Sequence, residues 1–87
     1  MALANHVIRS EQVFDRDICE LKCYQEPNCV SYNYGPSGDG KFVCELSNKT
    51  HLQVPSDDLQ MKDDFIYRQI TDVSIPNRVN RYYQLSR

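Results

Sequence analysis

The 87-residue sequence has no tryptophan, two histidines, three glycines and no apolar run near the ~20 residues of a membrane span. The missing span excludes insertion into a membrane as a helix. The opening "MALANHVIRSEQ" lacks a lysine-flanked apolar core followed by small residues, so it does not read as a signal peptide. The chain is then either intracellular or a piece of a larger secreted protein, an excised fragment or a truncated gene product. Basic charge is also scarce. Residues 1–70 carry seven Lys/Arg against eleven Asp/Glu, a net of −4, and residues 71–87 carry three Arg against one Asp. Phosphate and sulfate contacts need clustered cations, so nucleic acid and heparin are not expected partners. Arg78, Arg81 and Arg87 are too few to reverse this and read as a solvated tail.

Catalytic and cofactor signals are missing as well. No Ser-His-acid set is legible from spacing. His6 and His51 have no second histidine at metal-ligand spacing. "GPSGDG", residues 35–40, is glycine-rich but joins two strand-like runs, without the helix that would orient a phosphate. Asp57, Asp58, Asp63 and Asp64 lack the alternating ligands and glycine of a calcium loop, and read as a solvated loop. The chain is therefore expected to be non-enzymatic, with no cofactor and no bound metal.

Among what is present, the four cysteines dominate. Cys19, Cys23, Cys29 and Cys44 fall inside "ICELKCYQEPNCVSYNYGPSGDGKFVCEL". Zinc modules use two close pairs, and fourteen residues separate Cys29 from Cys44. Redox chemistry would call for C-x-x-C or a low-pKa thiol, and neither is recognisable. An even count in a domain too small to bury a generous core points to disulfides. Three pairings exist. Cys19 with Cys23 would join adjacent helical turns and constrain almost nothing. A helix lying across a hairpin favours Cys23 with Cys29 and Cys19 with Cys44. Loop entropy assigns about 3.5 kcal/mol to the longer loop and about 2 to the shorter, as upper estimates.

The elements follow from periodicity. Residues 3–8 are apolar enough for a strand, and "SEQVFDRD" then breaks the pattern. Ser10 and Asp15 are both able to cap a helix. Residues 16–25 read as that helix, with Ile18 and Leu21 on one face and Cys19 and Cys23 on another. Pro27 stops it. "CVSYNY" alternates, placing Val30, Tyr32 and Tyr34 opposite Cys29, Ser31 and Asn33. "KFVCEL" alternates with Phe42, Cys44 and Leu46 together, so the two runs form an antiparallel hairpin. One helical turn is expected after Pro55, and "FIYRQI" is a third good strand. The fold class is α+β: a small antiparallel sheet with one helix packed across it, stapled by disulfides. Residues 1–70 are read as the domain and 71–87 as a tail or linker.

The ordered set "CELKC", "PNCVSYNY", "CELSNKT", "PSDDL" and "FIYR" resembles a PAN/Apple domain over residues 3–70, in its two-disulfide form. The resemblance implies the pairs Cys19–Cys44 and Cys23–Cys29 and a secreted or cell-surface setting. It also implies protein or carbohydrate partners, as in adhesion modules. Such domains carry one more strand upstream of "LANHVI", so the sheet is expected to lack an edge strand or to borrow "RYYQL" for it. An exposed edge would invite self-association. "NKT" makes Asn48 an N-glycosylation acceptor. The ligand face is expected on Ser37, Asp39 and Lys41 of the hairpin loop, joined by Tyr32 or Tyr34 where a ring is exposed; alternation instead makes both rings core. Two rival readings are an intracellular four-cysteine zinc adaptor and a purely structural extracellular repeat.

Overall fold

The structure, a computed structural model, describes residues 1–70. "RYYQL" and the rest of residues 71–87 lie outside the described residues. The elements run β1 (Ala2–Leu3), β2 (Val7–Val13), α1 (Arg16–Gln25), β3 (Ser31–Pro36), β4 (Phe42–Ser47), a 3-10 turn (Ser56–Asp58), β5 (Leu59–Gln60) and β6 (Ile66–Gln69). Four strands form one antiparallel sheet in the order β2-β4-β3-β6. β1 and β5 pair separately as a short ribbon. The described residues therefore form an α+β fold with one helix across a small sheet.

Helix α1 starts where the chemistry allows. Asp15 is the N-cap, its Oδ1 accepting from the Ile18 amide at 3.0 Å, and Asp17 adds acid to the positive end. The helix closes at Glu26, whose amide donates to the carbonyls of Lys22 and Cys23. Its buried side is the cysteine side: Cys19 and Cys23 are sealed, while Leu21 stays exposed. Disulfides join Cys19 to Cys44 on β4 and Cys23 to Cys29 ahead of β3. They pin α1 over Tyr32, Cys44 and Leu46 on one face of the sheet.

The amino-terminal strand differs from the expectation. Instead of one strand over residues 3–8, the chain turns at Asn5, where φ is +74°, and re-enters as β2. "SEQV", expected to interrupt, is the heart of that strand. It shows no apolar alternation because both of its faces stay largely open to solvent at the rim of the sheet. Arg9 and Glu11 instead reach charged groups on α1 and at its end, Arg9 to Glu26 at 3.6 Å and Glu11 to Lys22 at 3.2 Å. Pairing with β4 decides the conformation, and local propensity does not.

The parity of β3 is as its alternation suggests, yet both of its faces are covered. Ser31 and Asn33 are as buried as Tyr32. The second cover is the β1–β5 side of the molecule, which packs on the face away from α1. Asn33 makes the join: its Oδ1 accepts from the Leu3 amide at 2.8 Å and its Nδ2 donates to the Leu3 carbonyl at 2.9 Å. Gly35 continues that face, where the Phe65 ring lies against its α-carbon.

Candidate ligand-binding site

The β3–β4 hairpin ends in a loop whose shape is set from within. Gly38 and Gly40 have φ of +91° and +81°, values that suit glycine. The Asp39 carboxylate organises the turn. Its Oδ1 accepts from the Ser37 hydroxyl at 2.5 Å and from the Lys41 amide at 3.1 Å, and its Oδ2 accepts from Gln12 Nε2 at 3.2 Å. These donors, the Ser37 hydroxyl foremost, hold the carboxyl below its usual range. Asp39 therefore shapes the loop and ties it to β2. Lys41 stays exposed and makes no ion pair among the described residues.

Beside this loop a cleft of about 530 Å³ opens, lined by Gln12, Val13, Phe14, Gly40, Lys41 and Phe42. Phe14 is 91% exposed and Phe42 also faces solvent. Tyr34 stacks on Phe42, ring centroids 5.2 Å apart and planes 13° from parallel, so the cleft has a stiff aromatic wall. Phe14 occupies the position before the helix cap. A hydrophobic residue there commonly packs back on the fourth helical residue as a staple. Here that residue is Cys19, already fully buried and bonded to Cys44, and Phe14 projects outward instead.

The structure divides the residues singled out from the sequence. Ser37, Asp39 and Lys41 cluster at the hairpin tip, and Tyr34 reaches it through Phe42. Tyr32 does not: its ring is 1% exposed under α1, so the exposure on which its place in the ligand face depended is not met, and it lies in the core as its alternation suggests. The Tyr32 hydroxyl donates to Glu20 at 2.9 Å, and burial, followed by that bond, pushes its pKa up to about 12. Asn48 is exposed in the bend after β4. Sequence reasoning missed Gln12, Val13, Phe14 and Phe42 as lining residues. The available signal was Phe14, a large apolar residue outside any period and directly before a cap.

Chemically the cleft offers an apolar wall, the Lys41 cation and an amide, with no acid–base pair and no nucleophile. No group of three or more His, Cys, Asp or Glu able to hold a metal occurs among the described residues. All four cysteine sulfurs are in disulfides. No described helix is long and apolar enough to cross a membrane.

A helix stapled over a hairpin by two disulfides defines a small disulfide-held α+β domain. The model of the PAN domain matches residues 2–72, and the chain belongs to that family. PAN domains mediate protein–protein or carbohydrate interactions in extracellular proteins and are generally non-catalytic. Neither a curated protein nor a solved structure matches the chain.

Proposed function

We propose that this chain is a non-enzymatic recognition and adhesion module of a larger secreted or cell-surface protein. It binds a protein or carbohydrate ligand through the hairpin-tip cleft. Phe14 and Phe42 supply apolar contact area, Tyr34 stiffens the wall, and Lys41 and Gln12 supply polar contacts. Asp39 and Ser37 hold the loop, with Asp39 Oδ1 shared between the Ser37 hydroxyl and the Lys41 amide. The observation that carries this reading is Phe14, held 91% exposed at the mouth of a preformed cleft. Exposed aromatic groups on ordered elements are efficient anchors because little freedom is lost on binding. A glycan on Asn48, in its exposed bend, fits the extracellular setting.

The zinc-adaptor reading needs thiolate ligands, and the pairing of Cys19 with Cys44 and Cys23 with Cys29 supports the extracellular module over it. The reading as a purely structural repeat needs a separate test. The oxidised domain is applied to glycan and extracellular-protein arrays beside Phe14→Ala, Lys41→Ala and a remote control, Leu52→Ala. Binding lost in the first two and kept in the third supports the cleft. Absence of binding on both arrays favours the structural repeat.

A further inference from the structure

β2 forms a rim of the four-stranded sheet, with β4 on one flank and no strand on the other among the described residues. Open edges are templates for another strand unless charges, proline, a β-bulge or a cover blunts them. Residues 7–13 read "VIRSEQV", with neither lysine nor proline. Val7 and Ile8 remain 40% and 42% exposed. At the centre, Ser10 is flanked by opposite charges, Arg9 and Glu11, both on the face that carries α1.

We propose that β2 is a self-association edge. A second copy of this chain pairs with it antiparallel, about a two-fold axis through Ser10. An isologous contact must satisfy itself, residue i meeting j while j meets i. Centred on Ser10, Arg9 lies opposite the partner's Glu11, and Glu11 opposite the partner's Arg9. Facing side chains must share a sheet face, so the neighbouring registers centre on Arg9 or on Glu11. Those place two arginines or two glutamates directly opposite, and like charges across strands are destabilising. Charge thus selects one register.

The surroundings agree. Arg9, Glu11, Lys22 and Glu26 form a local network with no net charge, linked at 3.2 to 3.6 Å. Two such networks meet at the axis without an excess of either sign. The slip between Val7 and Arg9 in the β2–β4 register falls at Ile8 and limits regular pairing about Ser10 to residues 9–11. The contact is correspondingly small, below the ~1,000 Å² of a stable complex, so the dimer is weak and forms when modules are concentrated. It joins two sheets into one of eight strands with both helices on the same face. The two hairpin-tip clefts then point to opposite ends, a bivalent arrangement that raises avidity for a repeated ligand.

The test uses the full 87-residue chain with its disulfides intact. Sedimentation velocity from micromolar to millimolar concentration is expected to show dimer growth that weakens as salt rises. Arg9→Glu and Glu11→Arg are each expected to weaken association at least tenfold. An equimolar mixture of the two variants is expected to restore it, because the two acidic side chains of one copy would face two arginines of the other. A mixture no better than either variant alone overturns the proposal. Hydrogen exchange on the wild-type chain decides the matter should a variant lose its native circular dichroism. Concentration-dependent slowing over residues 7–13 supports the edge. Slowing confined to β6, or protection of β2 that ignores concentration, overturns it.

Discussion

Asn33 holds the Leu3 backbone by both hands, accepting from its amide at 2.8 Å and donating to its carbonyl at 2.9 Å. One side-chain amide thereby does for β1 what a neighbouring strand would do, satisfying a donor and an acceptor that are buried away from water. Its Nδ2 also reaches Glu45 at 3.0 Å. The middle letter of "YNY" is therefore the fastening between the sheet and its second cover.

Replacing Asn33 with Ala is expected to lower stability by about 2–4 kcal/mol, since two buried backbone groups lose their partners at once. Denaturant unfolding measures the loss. Hydrogen exchange should place the fastest new opening in residues 2–4. An effect under about 0.5 kcal/mol, the size of an ordinary surface change, would contradict the assignment.

Gly35 is fixed by packing rather than by a turn. A β-carbon there would collide with the Phe65 ring. Gly35→Ala is expected to cost about 1–3 kcal/mol, as overpacking does. Trimming the ring in Gly35→Ala/Phe65→Leu should recover part of that loss, and a thermal melt of the single and double variants reads it. Additive costs in the double variant would refute the contact.

Phe14 separates binding from folding. Its side chain is almost wholly in solvent, so Phe14→Ala should leave stability within about 0.5 kcal/mol of wild type. The same change should weaken ligand binding at least tenfold once a ligand is in hand. A large loss of stability would mean that the ring is part of the core, and the cleft would lose its anchor.

These residues also mark what the sequence made legible. Helix α1 and the β3–β4 hairpin were readable because a cap, a proline and two alternating runs speak locally. Strand β2 was not, because a rim strand bearing Arg9 and Glu11 need not alternate. The burial of Ser31 and Asn33 was equally hidden. Polar residues in an alternating run imply a wet face, and only the return of β1 and β5 dries it. At the site, the loop residues were visible by composition, whereas Phe14 and Phe42 come to line one cleft only when β2 lies beside β4. Tyr32 belonged with the apolar side of its alternation, as its burial reports.

Tyr32 predicts an alkaline limit. Burial and the Glu20 hydrogen bond raise its folded pKa to about 12, against about 10 for an exposed tyrosine. The folded state thus holds this proton more tightly than the unfolded state. Its contribution is fully present below pH ~10 and is lost as pH rises towards 12. Tyr32→Phe keeps the packing and removes the titration. Its unfolding free energy should therefore fall less steeply than wild type across that window. Parallel curves would show that Tyr32 titrates alike in both states.

The most direct measurement is a non-reducing peptide map with intact mass, on the chain made in an oxidising compartment. The expected mass is lighter by four hydrogens than that of the reduced form, with Cys19 linked to Cys44 and Cys23 to Cys29. Four free thiols binding one zinc ion would contradict it and return the chain to the intracellular adaptor reading.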